Sequence, residues 1–532
     1  INGAGVGNGG AFRTTGTSSF AGPITAASNA TINAAGTLSL TGGLVKNGTT
    51  LTLGGTGTYN ISSTGISGAS ANSDLVVDAA TVNLGVASTY NGPTFIRNGG
   101  TINANVTDAL PTSISRTAII MDDSGTGSST LGLAANQSVA SLTGASSSQI
   151  LLGANQLTVG ASGSGSSTYA GSITGTGGSI VKDGTNTQIF SGANTYTGTT
   201  SLNAGVLNLG SAENVGTSGP LGASAASNPG SIVFGGGTLQ YSASNQNDYS
   251  GRFSTAAGQA ISIDTNGQNV SLATALISSG GSLNKQGAGT LTVTGANTFD
   301  AGTTVNGGTL LVNNTTGSGT GSGAVSVSNA GTVLGGNGTI AGDLTVNAGA
   351  LIAPGSAAGT AGTLTIGGST VVINGNGVAE TRLNFDYTNA TGNVPGLTPT
   401  TWSSYNGSLL TGNGGQSNDL LNFTASTTSL TWGTGGKISL NQIGSAYSWV
   451  QGDVFNLLDW TALGDSGNGA GSIGGSFNSA IDFNLPTLSG GLSWDTSRFV
   501  TTGAIAVVPE PGRALLMLFG LMALFFRRRR QD

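Results

Sequence analysis

The sequence predicts an all-β protein built mainly as a right-handed parallel β-helix, a solenoid, with a smaller C-terminal β module and a short apolar C-terminal helix. Three observations predict it. Short alternating runs punctuated by Gly or Asn recur throughout, helical periodicity is nearly absent before residue 513, and long segments repeat at about a hundred residues.

The alternating runs come first. Thr50-Leu51-Thr52-Leu53-Gly54, Thr290-Leu291-Thr292-Val293, Leu344-Thr345-Val346-Asn347 and Thr363-Leu364-Thr365-Ile366-Gly367 each place apolar and polar residues on opposite faces. Period two marks a half-buried strand. The Gly and Asn that follow supply the positive-φ positions of turns. Strands so short and numerous indicate all-β architecture.

The repeats give the winding. Lys182-Asp183-Gly184, Ser191-Gly192-Ala193-Asn194-Thr195-Tyr196 and Asn203-Ala204-Gly205-Val206-Leu207 align without a gap on Lys285-Gln286-Gly287, Thr294-Gly295-Ala296-Asn297-Thr298-Phe299 and Asn306-Gly307-Gly308-Thr309-Leu310. A weaker copy is split between Leu44–Gly48 and Thr89–Ile102. The separation is too long for one coil but fits about five coils of about 20 residues. Stacked coils would bury β-branched rows in one core and expose Thr, Ser and Asn. A β-sandwich array and a propeller are the alternatives, though propeller blades need a shorter and more uniform repeat.

Composition narrows the chemistry. The 532 residues include 94 Gly, and charged residues make up 7%, with net charge −6. Solubility must come from Ser, Thr, Asn and exposed backbone. No basic patch exists to neutralise phosphates, so nucleic acid is not an expected partner. His and Cys are both absent, which removes thiolate and imidazole metal ligands and the commonest general base. No metal site, cofactor or catalytic residue is predicted. Asp122-Asp123 is the one adjacent acidic pair, and its Met121 and Ser124–Gly127 context reads as a turn rather than a glycosidase pair. Asp419, Asp453, Asp459 and Asp495 read as turn and strand-end residues. The Gly-rich turns lack the repeated Asp of calcium-binding coils.

The order of segments sets the expected domains: solenoid over 1–375, linker and C-terminal β-rich module over 376–506, and tail over 507–532. All five Trp lie beyond residue 400. A capping module would cover the strand edges and apolar surface at a solenoid end. In the tail, Val508-Pro509-Glu510-Pro511 is followed by an apolar run, Ala514 to Phe526, and then by Arg527, Arg528, Arg529 and Arg530. The prolines are expected to end the preceding strand and to present Glu510 extended and exposed. As a helix the apolar run spans about 20 Å, short of the roughly 30 Å bilayer core. The arginines place its end on the cytoplasmic side.

Two resemblances follow from these residues. The stretch from Lys285 through Phe299 to Leu310 resembles the autotransporter-associated β-strand repeat, and Leu334–Ile340 with Leu351–Gly355 resembles the segment that closes such arrays. This implies a parallel β-helix on an exported protein and no particular activity. The tail resembles the PEP-CTERM sorting signal. Pro509, Glu510 and Pro511 match its motif and Arg527–Arg530 its membrane stop. That resemblance implies an exosortase-type processing enzyme as partner, transient anchoring in the inner membrane of a Gram-negative bacterium, and release to the cell surface or extracellular matrix. The expected function is a structural or adhesin-like surface protein that contacts extracellular polysaccharide or further copies of itself. The alternative is a polysaccharide-binding or polysaccharide-degrading β-helix. An autotransporter passenger with its own C-terminal barrel is a third reading, against which the tetra-arginine end argues.

Overall fold

The computed structural model describes residues 1–510 apart from 113–114, 123–126, 162–164, 356–359, 376–380, 389–391, 394–396, 401–417, 425–428, 444–446 and 460–472. Its strands are almost all short and paired in parallel, as expected of a β-solenoid. The chain divides into two units, Ile1–Gln268 and Asn269–Asp532.

In the first unit each complete coil contributes up to three short strands, one to each face. One face stacks Thr37–Leu40, Thr58–Ile61, Thr81–Leu84, Thr101–Ala104 and Thr130–Leu133 in parallel. Parallel neighbours need a crossover rather than a hairpin, and here one full turn of the coil, about 20 residues, supplies it. Because the register never slips, alternation in each strand becomes rows across strands. Leu38, Tyr59, Val82, Ile102, Leu131, Ile150 and Ile173 form one inward row, all with no exposed surface. Full burial of one such side chain contributes about 1.5–3 kcal/mol, so each row is a large part of the fold's stability. Outward, Thr37, Thr58, Thr81, Thr101 and Thr130 form a hydroxyl row. Beside it, Asn83 Nδ2 donates to Asn60 Oδ1 and Asn103 Nδ2 to Asn83 Oδ1, both at 2.8 Å.

The second unit uses the same device. Val270, Leu291, Leu310, Leu334, Ile352, Leu383 and Ile438 stack in register and are buried. The parallel pairing does not stop at 375. Thr381–Tyr387 pairs with Gly436–Gln442 over seven residues, Thr363–Ile366 with Leu420–Phe423, and Thr370–Ile373 with Ser429–Trp432. The segment Leu351–Pro354, read as closing an array, has Leu383 as its next neighbour. Coil-forming runs in this part of the chain are spaced far more widely than about 20 residues, and that spacing hides the repeat from a sequence reading.

What differs in kind among the described residues is one antiparallel sheet. In it Gly392–Asn393 pairs with Asp453–Asn456, which pairs with Ala504–Pro509, which pairs with Leu492–Asp495. Leu397, Val454, Ala504, Ala506 and Val508 form a buried cluster here. Tyr387, Tyr447, Trp449, Phe455 and Trp494 make a continuous ring cluster with centroids 5.0–6.4 Å apart. Trp432 is buried against Phe477. Trp402 and Trp460 lie outside the described residues, as do Pro511, Arg527–Arg530 and the apolar run expected to be helical. Among the described residues no helix is long and apolar enough to cross a membrane.

Candidate functional site

The residues shared by the aligned copies turn out to be the ones that join coil to coil. Asn194 is fully buried. Its Oδ1 accepts from Ile173 N–H at 2.9 Å and its Nδ2 donates to the Pro220 carbonyl at 3.0 Å. Asn297 repeats both bonds one copy later, from Leu276 N–H at 2.7 Å and to Gly319 O at 2.5 Å. One side chain thus closes a gap in the ladder with the coil before and the coil after. In the degenerate first copy Ser88 stands there, accepting from Ile66 N–H at a longer 3.4 Å.

Two residues on, Tyr90 and Tyr196 point inward, and each phenol bonds the Thr four residues later, Thr94 at 2.6 Å and Thr200 at 2.7 Å. Where the aromatic is Phe299, the corresponding Thr303 hydroxyl donates instead to Thr320 O at 3.0 Å. The threonine is kept and takes a carbonyl partner where the aromatic has no phenol, so its buried hydroxyl stays satisfied.

The aligned lysines face inward too. Lys182 Nζ donates to Asp183 O, Gly184 O and Asn186 Oδ1 at 2.8, 2.9 and 3.1 Å. Lys285 Nζ donates to Gln286 O, Gly287 O and Gly307 O at 2.8, 2.8 and 2.9 Å. Lys46 donates to Ser73 O and lies 3.9 Å from the centre of the Tyr90 ring. Burial pulls the Lys46 amine down to about 7 and the Lys182 amine to about 8, each opposed by a neighbouring carboxylate, Asp74 or Asp183. These are internal amines that donate to turn carbonyls. Gly205 and Gly308 complete the arrangement, at φ +65° and +62°. A Cβ on Gly308 would lie 2.3 Å from Gly289 O and 3.0 Å from Lys285 Nζ. Gly308→Ala is expected to cost about 2–4 kcal/mol, combining the left-handed backbone with the clash. A urea titration that found the variant unchanged would sink this account.

The candidate sorting motif begins inside the antiparallel sheet. The last strand is buried from Ala504 to Val508 and runs through Pro509, which stands opposite Leu492. The strand therefore does not end before the proline. Gly452 N–H donates to Val507 O, so by alternation the nitrogen of Pro509 also faces that edge, beyond its last paired residue. The missing proline donor costs no ladder bond there. Glu510 is exposed, as expected, while its N–H donates to Gly491 O at 3.0 Å.

Of the acidic residues singled out by sequence, most lie at strand ends or turns, and Asp419 is buried. Asp122 ends the strand Ala118–Asp122, opposite Arg97, and Asp123 lies outside the described residues. Asp419 is fully buried, with its two oxygens accepting from Gly362 N–H at 2.7 Å and Asp386 N–H at 2.8 Å. Burial pushes its carboxyl up to about 8 despite these bonds, with Asp386 adding to the rise. A carboxyl with no exposed surface and both oxygens on backbone amides joins strands. Asp453 accepts from Val450 N–H and Asp495 from Ser497 N–H, both at 2.9 Å, as turn residues do. Asp459 ends the short strand Leu458–Asp459. No group of three or more His, Cys, Asp or Glu among the described residues is placed to hold a metal.

Sequence reading missed one network. Glu213 and Arg252 form a buried ion pair at 3.1 Å, Tyr249 donates to Glu213 at 2.8 Å, and Arg252 donates to Leu221 O at 2.7 Å. Thirty-nine residues separate the ion partners, and no local pattern links them.

An inward Lys, a coil-bridging Asn, an aromatic two residues on and an obligatory Gly, carried on stacked parallel coils, define a repeat-bearing parallel β-solenoid. Residues 77–104, 180–209 and 283–312 each match the passenger-associated-transport-repeat family. The second and third matches fall on the two gapless copies, and the first covers the Thr89–Ile102 half of the weak copy. The adhesin BmaC autotransporter of Brucella suis biovar 1 is 34% identical over 154 residues. That alignment spans 28% of this chain and 4% of the relative, so the chain corresponds to a small part of that protein's length.

Proposed function

We propose that this chain is an exported, adhesin-like structural protein of the cell surface or extracellular matrix, and not an enzyme. The observation that carries this reading is that the repeat signature is spent on coil-to-coil bonding. The residues that recur from copy to copy face inward and hold the solenoid together, and none presents a reactive group. The partial similarity to an autotransporter adhesin supports the same class. The outward Thr row with its Asn60–Asn83–Asn103 amide ladder is an uncharged, regularly pitched face. It favours contact with neutral extracellular polysaccharide, or with another copy, over capture of a charged ligand.

The tail is read as a PEP-CTERM signal with Pro509, Glu510 and Pro511 as the motif and Arg527–Arg530 as the membrane stop. An exosortase-type enzyme would act on it during transient inner-membrane anchoring in a Gram-negative host. Mass spectrometry of protein recovered from the host surface is expected to find the chain ending near Pro511 and lacking Arg527–Arg530. Surface material that retains Asp532 would overturn the processing reading. Robust depolymerisation of neutral or acidic polysaccharides by the purified protein would overturn the structural one.

A further inference from the structure

We propose that the folded C-terminal sheet latches the sorting motif, so that processing takes place before the last strand docks or when it opens. This rests on the reading of the tail as a sorting signal and concerns how that site is regulated.

A processing enzyme takes its substrate as an extended strand, using main-chain hydrogen bonds to the residues on both sides of the cut. In the folded protein those bonds are already committed. On one edge the strand Ala504–Pro509 is paired with Leu492–Asp495 up to Pro509, and the Glu510 N–H extends that pairing to Gly491 O. On the other edge Asp453–Asn456 pairs with Ala504–Ala506, and Gly452 N–H takes Val507 O. Beyond Val507 no strand of the described residues flanks this second edge, but it offers an enzyme little. By alternation the residue facing it is Pro509, which has a carbonyl and no N–H.

Slack cannot solve the problem. Only Pro511, Gly512 and Arg513 separate Glu510 from the apolar run that begins at Ala514. Three extended residues reach about 10 Å. An enzyme at the membrane surface that binds several residues upstream of the cut must therefore draw on the strand itself, whose residues 504 to 508 are buried. The latch also has a built-in weak point. Gly490 and Gly491, which lead into the pairing strand, both adopt left-handed φ, +74° and +78°. A side chain at either is strained, so substitution there loosens the register that holds Glu510.

The chain has no cysteine, which makes a single engineered disulfide unambiguous. Ser493 and Val508 stand directly opposite in the antiparallel pair, within the Cα separation a disulfide accepts. Wild type, Ser493→Cys/Val508→Cys and Gly490→Ala/Gly491→Ala are compared in pulse-chase processing in the host, with and without dithiothreitol. The oxidised double-cysteine protein is expected to be processed at least tenfold more slowly than wild type and to recover on reduction, while the double-alanine protein is processed faster. Amide exchange at Glu510 in purified wild type, read by mass spectrometry, is expected to be protected. If the disulfide is verified by mass and processing still runs at the wild-type rate, the latch is wrong while the sorting reading stands. If wild type itself keeps residues 511–532 in the same cells, the sorting reading is wrong and the latch goes with it.

Discussion

Asn297→Leu is expected to destabilise the second unit by about 2–6 kcal/mol. The substitution keeps most of the volume and removes both bonds, leaving Leu276 N–H and Gly319 C=O buried without their partner. Each orphaned group costs about 1–3 kcal/mol. Neither group can turn to water, because the Asn297 side chain lies in the core of the coil stack. Asn194→Leu is expected to act by the same amount in the first unit, through Ile173 N–H and Pro220 C=O. Ser88→Ala is expected to cost less, about 1–2 kcal/mol, since Ser88 supplies a single long bond. The ordering is the test. Hydrogen exchange under increasing urea should lose protection around residues 173 and 276 first in the respective variants. An equal cost for Ser88 and Asn297 would mean that the side-chain bridge is not what the repeat preserves.

These positions also mark how much could be read from sequence. The gapless alignment of Lys182 on Lys285, Asn194 on Asn297 and Gly205 on Gly308 was visible because residues that meet the same partners in successive copies are fixed in type and spacing. Alternation in the strand runs was legible for the same reason, since a one-residue slip would expose a whole apolar row. The role of each signature residue was not legible, because a buried lysine and an exposed one are the same letter. The parallel coils beyond 375 escaped because Thr381–Tyr387 finds its partner only at Gly436–Gln442, a spacing no short repeat predicts. The strand through Pro509 escaped because proline ordinarily argues against a strand. It is tolerated here by the position of its nitrogen past the end of a neighbouring strand, a fact of register rather than composition. The Glu213–Arg252 pair depends wholly on how distant segments come together.

The first unit is expected to be most stable near pH 9–10, well above neutrality. The Lys46 and Lys182 amines are lowered by burial to about 7 and about 8, from 10.5 when free. Between those values and 10.5 the unfolded chain binds protons that the folded chain does not, so stability rises with pH across that window. At about 1.4 kcal/mol per pH unit the Lys46 contribution has a ceiling of about 5 kcal/mol. Glu213, raised by burial, acts in the opposite sense, its contribution being lost as pH rises through its folded value. Above pH 10 the direction reverses. Burial raises the Tyr59, Tyr90, Tyr241 and Tyr249 phenols far above 10 and the Tyr196 phenol to about 12. The unfolded chain then ionises first, and stability falls as pH climbs toward those values. In the second unit Asp419, raised from 3.8 to about 8, adds stability that is complete below 3.8 and is lost as pH rises through 8. The two units should therefore respond to a step from pH 6 to pH 9 with opposite signs. Exchange rates corrected for intrinsic chemistry are expected to show greater protection at residues 44–46 and 180–182, and less at 419–423. Lys46→Met keeps the shape of the side chain without the buried charge, and it should flatten the rise at 44–46. A rise of unchanged size in that variant would remove the buried amine as its cause.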